Sequence, residues 1–258
     1  ALAGRVPENT LLSHDLFEGI FARAGLVTDI EFFDEFPWHY AIAATRQHRW
    51  ARGDWQLLPW ILGHAPDANS DRVRTKIPAI SRWKLLDNLR RTISAPAAFL
   101  ILITGWTLPF ASPRIWTAFV LVTFAVPPLL PFLTGLIPHR RGISKRSHLR
   151  AVGTDLVLAV SQVGLTVTLL THQAWLMTDA IVRTLFRIYV TRRKLLEWVT
   201  AAQAKAGFDV TLGSVYKAMG GAVALAAVSG FLVFAAGRPL EVQLIAALHD
   251  LNAGKINE

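Results

Sequence analysis

Three long stretches without a charged residue constrain this chain most. They cover residues 93–112, 115–138 and 218–237, and each is long enough to cross a bilayer as a helix, which takes about 20 residues. In the whole chain, 52% of the residues are hydrophobic and 17% are charged, whereas a typical soluble domain carries about 25% charged residues. The sequence therefore predicts a mainly α-helical membrane protein.

The charges beside the first two stretches predict their orientation. Residues 72–91 contain seven basic residues and one acidic residue, and residues 139–150 contain five basic residues and no acidic one. Cytoplasmic flanks of membrane helices carry such an excess of Lys and Arg. We therefore expect a transmembrane hairpin with cytoplasmic flanks and with its short turn, residues 112–114, on the other side. Because the net charge of +9 gathers at these flanks, no nucleic-acid partner is expected.

A fourth apolar stretch, residues 156–171, is only 16 residues long. If it crossed the membrane, the basic residues between 183 and 194 would lie on the unfavourable side, so it is interpreted as an interfacial or re-entrant helix. The next segment has a polar stripe at helical spacing, formed by Asp179, Arg183, Arg187, Thr191 and Lys194. This pattern predicts an amphipathic helix in the headgroup plane, and the alternative is a helix packed on a soluble domain.

The first part of the chain combines helical and β-prone segments. A helix is predicted from the N-cap signal at Ser13 to Gly25, a strand at residues 26–32, and a further helix that carries the run RQHRWARGDWQ at residues 46–56. The predicted fold is the C-terminal part of an α/β domain joined to transmembrane helices and interfacial amphipathic helices. Its predicted segments are 1–70 for the cytosolic domain, 71–92 for a basic interfacial segment, 93–138 for the hairpin, 139–217 for cytoplasmic amphipathic helices, 218–237 for the last span and 238–258 without assignment.

The run RQHRWARGDWQ concentrates cationic and aromatic side chains. Trp50 and Trp55 offer flat faces on which a sugar ring can stack. Arg46, His48 and Arg49 offer hydrogen-bond donors that can hold a phosphate. The pattern suits a ligand that is part sugar and part phosphate. The alternative is an amphipathic Arg/Trp helix at a membrane surface.

Carboxylates supply a second group of candidates. Asp15 lies near a predicted helix start, where backbone N–H groups can orient it, so it is a candidate general base or, alternatively, a capping residue. The acidic segment 29–34 suits either a divalent metal or a solvated loop. The eight histidines have no spacing typical of zinc sites, and the absence of cysteine excludes thiolate ligands. No metal ligand is assigned in this chain.

Taken together, these segments resemble a known family. An Asp at a helix start, an Arg-Trp helix and then a transmembrane hairpin is the order typical of processive membrane glycosyltransferases. The segments GRVPENTLLSHDLFEG, GLVTDIEFFDEFP, RQHRWARGDWQ, SRWKLLDNLRR and HQAWLMTDAIVRTLFRIYVTRRKLLEWVTAAQ resemble the glycosyltransferase and membrane segments of the cyclic β-1,2-glucan synthases of Gram-negative bacteria. The resemblance extends to about residue 236.

The resemblance implies an inverting transfer of glucose from UDP-glucose to a growing β-1,2-glucan chain, at the cytoplasmic side of the bacterial inner membrane. Asp15 would be the general base for the acceptor 2-hydroxyl. Arg49 and Trp50 take the Arg-Trp positions of the Gln-x-x-Arg-Trp motif, so Trp50 would lie under the acceptor sugar and Arg49 would neutralise the departing diphosphate. The Gln position of the motif is Arg46 here.

The resemblance also implies parts that this chain does not contain. The donor-binding strands and the Asp-x-Asp motif for a Mg or Mn ion are expected before Ala1, and further modules after the last span. This fragment is therefore expected to hold the acceptor half of the site and to be inactive alone. The expected partners are UDP-glucose, the glucan chain, membrane lipids and the remaining modules. The alternative is a non-enzymatic membrane subunit or transporter fragment that binds anionic lipid.

Overall fold

The computed structural model describes residues 6, 10–12, 15–22, 25, 27–31, 33, 39–66, 72–74, 76–108, 112–137, 144–196 and 211–236. The chain divides into two compact units. The first comprises Ala1–Pro96 and Ala174–Gly221, and the second comprises Ala97–Gln173 and Ala222–Glu258. The predicted N-cap Ser13, the end of the TRRKLLEWVTAAQ run and residues 238–258 lie outside the described residues.

The described elements are mostly helices. They are α1 (Asp15–Ala22), α2 (Tyr40–Gln56), α3 (Leu58–Ile61), β1 (His64–Pro66), β2 (Arg72–Arg74), α4 (Ala79–Thr107), α5 (Pro113–Gly135), α6 (Lys145–Thr168), α7 (Leu170–Phe186), a π-helical turn (Arg187–Thr191) and α8 (Leu212–Ala235). The strands β1 and β2 pair antiparallel, with Ala65 opposite Val73. The prediction of a mainly helical chain with apolar helices is confirmed, whereas the described residues do not show the α/β domain.

The core of the first unit forms where α1, α3 and the start of α4 meet. Phe17 of α1 is buried and packs edge-to-face on Trp60 of α3, with ring centroids 5.6 Å apart. Leu85 and Leu89 of α4 belong to the same apolar cluster. Their i, i+4 spacing puts both on one face of α4, so the cluster fixes α1 and α3 to the first half of that helix.

The prediction of a strand at residues 26–32 is wrong for the part that the structure describes. Residues 27–31 have no strand conformation, and the side chains of Val27 and Ile30 are exposed. β-Propensity depends on packing against neighbouring strands. Within the described residues, strand pairing involves β1 and β2 instead, so the β-branched residues near Val27 lack the neighbour that would make them a strand.

Helix α4 joins the basic and the apolar segments that the sequence analysis divided at residue 93. It runs without interruption from Ala79 to Thr107 and contains Pro96. Two contacts connect its end to α5: the Trp106 indole N–H donates to Thr117 Oγ1 at 3.0 Å, and Gly105 faces Trp116. A Cβ on Gly105 would lie 2.7 Å from the Cβ of Trp116, so this close approach requires glycine.

Three described helices are long and apolar enough to cross a membrane: α5, α6 and residues Tyr216–Ala235 of α8. The prediction of membrane-length helices at 115–138 and 218–237 is confirmed in this sense. The apolar end of α4 is not among them, because that helix begins with basic residues and ends at Thr107.

Helix α6 is longer than its sequence pattern predicted. The apolar stretch suggested 16 residues, but α6 has 24. The helix begins before the apolar stretch, at Lys145, where the Ser144 hydroxyl caps it by accepting from the Ser147 N–H at 3.2 Å. Thr154, Thr166 and Thr168 each donate to the carbonyl oxygen four residues earlier, so their hydroxyls are satisfied within the helix. Helix α6 packs extensively on α5, where Gly135 faces Asp155 and Val152.

The amphipathic segment predicted around residues 179–194 is α7 followed by the π-helical turn. Ala180 and Met177 are buried against Ala51 of α2, as expected for a helix packed on a domain. Val182 and Phe186 are exposed. The helical conformation ends at Arg192, whose φ of 52° is left-handed. The polar stripe predicted a continuous helix through Lys194, and that prediction is therefore wrong.

The membrane topology stays a prediction of the sequence. The basic flanks at residues 72–91 and 139–150 predict that the apolar end of α4 and α5 cross as a hairpin and that α6 stays on the cytoplasmic side. By length and composition, however, α6 qualifies as a span and the end of α4 does not. A hairpin of α5 and α6 is therefore the alternative.

Cysteine accessibility tests this topology without background, because the chain has no native cysteine. We expect a cysteine introduced by Ser112→Cys to be labelled only from the non-cytoplasmic side. The matched variant Ser147→Cys, also at an exposed serine, is expected to be labelled only from the cytoplasm. The reverse pattern, Ser112→Cys labelled from the cytoplasm and Ser147→Cys from outside, would mean that α5 and α6 form the crossing hairpin.

Candidate functional site

Helix α2 carries the residues that the sequence analysis singled out, and it presents them on different faces. Its N-terminus is capped by His39, whose Nδ1 accepts a hydrogen bond from the Ala41 N–H at 3.2 Å. The helix ends at Gln56, since Pro59 occupies the first turn of the short helix α3. Its buried face consists of Ala44, Ala51, Arg52, Gly53 and Gln56.

Arg46 and Trp50 lie together on the outer side of α2. The guanidinium carbon of Arg46 is 4.5 Å from the centre of the Trp50 ring, as expected for residues one turn apart. Trp50 is 44% exposed. The cation–π contact restrains the indole while part of its surface stays open to solvent. The structure thus brings together two of the predicted substrate-binding residues.

Asp15 and Arg49 are the two other residues with a predicted role in the reaction. Asp15 is the first residue of α1 and is exposed. At a helix start, backbone N–H groups can orient its side chain. Arg49 is half-buried on α2. These positions do not test the roles predicted for the two residues, the general base for Asp15 and the contact with the diphosphate for Arg49. Both roles stay predictions.

His48 lies in the contact between α2 and α7. Its Nε2 is 2.8 Å from Asp179 Oδ2, and the same carboxylate accepts two hydrogen bonds from Arg183, at 2.8 and 3.1 Å. Because an ionised carboxylate can only accept, His48 Nε2 carries the proton in this contact. Removing one partner of such a bond typically costs about 1–3 kcal/mol of stability. His48 therefore has a structural partner that the sequence did not reveal.

The pKa values of this pair move in the same direction for different reasons. Burial lowers the pKa of His48, Arg52 and Arg183 add to this effect, and the hydrogen bond and charge of Asp179 oppose it. Partial burial acts to raise the pKa of Asp179, but hydrogen bonds from Arg183 and His48, together with their charges, lower it below its ordinary value. The favoured form at neutral pH is a neutral imidazole that donates to a carboxylate.

Trp55 holds α2 to α4. Its indole N–H donates to Thr92 Oγ1 at 2.8 Å, and the Thr92 hydroxyl donates to the Leu89 carbonyl oxygen at 2.7 Å. One turn earlier on α4, the Asn88 amide donates to Asp54 Oδ1 at 3.2 Å. Burial raises the pKa of Asp54, against the effect of this hydrogen bond. The structure therefore separates Trp55, which joins two helices, from the exposed Trp50.

Gln56 is a residue whose importance the sequence analysis missed. It is 3% exposed. Its Oε1 accepts from the Leu12 N–H at 2.7 Å, and its Nε2 donates to the Leu195 carbonyl oxygen at 2.9 Å. The only sequence signal was a polar residue on the apolar side of α2, and that signal does not identify distant partners.

The segment that Gln56 contacts has an unusual backbone. Arg192 and Lys194 have φ values of 52° and 56°, a region that L-residues other than Asn and Asp rarely adopt. The Arg187 guanidinium donates to the Lys194 carbonyl oxygen at 2.8 Å. Hydrogen bonds from two other elements thus maintain this basic segment next to the end of α2.

Among the described residues, no group of three or more His, Asp or Glu side chains could hold a metal ion. In the acidic segment 29–34, the described residues Asp29 and Glu31 are exposed. The Mg or Mn ion expected for a complete enzyme remains a prediction about other parts of the protein.

The His48–Asp179 contact predicts a pH dependence of stability. Because the folded-state pKa of His48 is lowered, its contribution is present above the ordinary histidine pKa, about 6.5, and is lost as the pH falls below that value. We expect the wild-type chain to lose more thermal stability between about pH 7 and 5 than His48→Gln, which keeps a donor but does not titrate. Equal losses in both proteins would contradict the assignment, since the other seven histidines are common to both.

Comparison with known proteins identifies a relative. No protein-family profile matches the chain. The chain is 42% identical over 230 residues to the cyclic beta-(1,2)-glucan synthase NdvB of Rhizobium meliloti (strain 1021), and the match covers 89% of this chain. It spans only 8% of the length of that synthase. The resemblance drawn from the sequence motifs is thus confirmed: this chain is related to a segment of a cyclic beta-(1,2)-glucan synthase.

Proposed function

We propose that this chain is part of an inverting, processive glycosyltransferase that builds β-1,2-glucan from UDP-glucose at the cytoplasmic face of the bacterial inner membrane. The observation that carries the proposal is the Arg46–Trp50 pair on α2, because an exposed indole restrained by a cation is a suitable platform for a sugar. The 42% identity to a cyclic beta-(1,2)-glucan synthase supports the chemistry. The first unit would contribute the acceptor side of the site.

In the proposed reaction, the 2-hydroxyl of the terminal glucose attacks the anomeric carbon of the donor glucose. A bond forms between the acceptor oxygen and that carbon, while the bond from the carbon to the diphosphate oxygen breaks. The electron pair of the broken bond leaves with UDP, and the hydroxyl proton passes to the Asp15 carboxylate. The exposed position of Asp15 at the start of α1 suits a base that must reach an incoming sugar.

Trp50 and Arg49 would hold the two ends of this reaction. The indole of Trp50 would stack against the acceptor glucose. The stacked sugar would then be held with its 2-hydroxyl directed toward the base. The guanidinium of Arg49 would neutralise charge that develops on the leaving diphosphate. Arg46, which replaces the Gln of the motif, would act indirectly through its contact with Trp50.

The basic first half of α4, which belongs to the same unit as the site, would hold this site at the bilayer surface. In the basic half of α4, the side chains of Arg82, Lys84, Arg90 and Arg91 are exposed, and Trp83 is 67% exposed. Cations and a tryptophan next to an apolar helix are typical of the headgroup region. Membrane lipids are thus proposed partners. The same surface favours the second candidate, a lipid-binding membrane subunit without enzymatic activity.

Other modules of the longer protein would supply the donor half of the site, including a Mg or Mn ion near the UDP-glucose diphosphate. The first unit supplies acceptor-side residues, so the chain alone is proposed to be inactive. Transfer of glucose from UDP-glucose by the isolated chain would contradict this assignment of donor and acceptor halves.

Substitution of the proposed base separates the two candidate functions. In the full-length protein, Asp15→Asn keeps the side-chain shape but cannot accept the proton, so we expect elongation to fall about 10²- to 10⁴-fold while UDP-glucose still binds. Asp29→Asn, at an exposed aspartate outside the helices, is the matched control and should elongate normally. Radiolabelled glucose incorporation and UDP-glucose binding are the measurements. Wild-type elongation by Asp15→Asn would exclude Asp15 as the base.

A further inference from the structure

Gln56 joins three segments that are far apart in the sequence. Its amide oxygen accepts from the N–H of Leu12, 44 residues away, and its amide nitrogen donates to the carbonyl oxygen of Leu195, 139 residues away. All three segments belong to the first unit. Both functional groups of this buried side chain are therefore engaged with backbone atoms outside its own helix.

The two backbone partners of Gln56, Leu12 and Leu195, lie close in the sequence to the proposed base and to the basic residues after α7. Leu12 is three positions before Asp15, the proposed base. Leu195 directly follows the segment in which Arg192 and Lys194 have positive φ values. Arg187 also bonds the carbonyl oxygen of Lys194. The side chain at the end of α2 thus hydrogen-bonds both the backbone just before the proposed base and the backbone just after the segment with positive φ values.

Because Gln56 is buried, its two hydrogen bonds fix the positions of the two backbone segments that they reach. A buried amide that loses a partner bears the desolvation cost of the unsatisfied group. Moving either backbone segment away from α2 would leave such a group, so both segments are held within hydrogen-bond distance of it. A carboxylate that must reach a hydroxyl group needs its position defined to within a fraction of an ångström.

We propose that Gln56 is a positioning residue for glucan elongation, which acts on the reaction through Asp15 and does not touch the sugar. This inference rests on the proposed function. Gln56, the last residue of α2, would set the position of the base relative to Trp50, which lies about 1.7 turns earlier on the same helix. The basic turn at Arg192–Lys194 is held in the same place by the other half of the amide.

The substitution Gln56→Met, in the full-length protein, removes both hydrogen bonds and keeps the length of the side chain. Gln47→Met is the matched control, because Gln47 lies on the same helix and is exposed. We expect Gln56→Met to lower kcat for elongation about 10²-fold, as for a misplacement of about 1 Å, with little change in KM for UDP-glucose. Gln47→Met should behave as wild type. Normal elongation by Gln56→Met overturns the proposal.

A double-substitution experiment separates positioning from a general loss of structure. If Gln56 acts through Asp15, the protein with both Asp15→Asn and Gln56→Met should elongate no more slowly than Asp15→Asn alone. Multiplied losses would show that Gln56 acts elsewhere and overturn the inference. If Asp15→Asn elongates at the wild-type rate, the proposed base fails and this inference fails with it. If Asp15→Asn is defective and Gln56→Met is normal, only this inference fails.

Gln56→Glu provides a second test should Gln56→Met not accumulate as folded protein. A protonated carboxyl group can accept from Leu12 and donate to Leu195, whereas the ionised form cannot donate. We expect the ratio of its elongation rate to that of wild type to rise as the pH is lowered, because burial favours the protonated form. A ratio that does not change with pH overturns the proposal.

Discussion

The packing of one face of α2 against α4 and α7 is the constraint on which the candidate site depends. Three side chains on or beside that face make hydrogen bonds to other elements: His48 to Asp179, Trp55 to Thr92, and Gln56 to both Leu12 and Leu195. Ala51 allows the close approach of Ala180, which is fully buried. Each bond alone is modest, but together they fix both the rotation and the axial position of the helix.

Because the inner face is fixed, the outer face has a defined direction. Arg46 and Trp50 are one turn apart and lie on this outer side, where the cation restrains an exposed ring. His48, two residues from each, cannot share their face. The run RQHRWARGDWQ therefore contains two kinds of residue: those that hold the helix in the unit, and those that remain available for a ligand.

Some of this arrangement follows from sequence periodicity and some does not. The i, i+4 relation of Arg46 and Trp50 is local, so helical spacing alone accounts for their contact, and long apolar runs predict α5 and most of α8. The partners of His48, Trp55 and Gln56 lie 37 to 139 residues away, and periodicity indicates that a face is covered without indicating by what. The strand expected near Val27 failed for the same reason, since a strand requires a distant neighbour.

The central claim is that Trp50 is the acceptor platform and not a membrane anchor. The length of the glucan made by the full-length protein tests it most directly. The account predicts that Trp50→Ala releases mainly short glucans, because the growing chain loses its stacking surface, whereas Trp83→Ala, at a more exposed tryptophan on α4, gives glucan of normal length. Glucan of normal length, made at a normal rate by Trp50→Ala, would contradict the account.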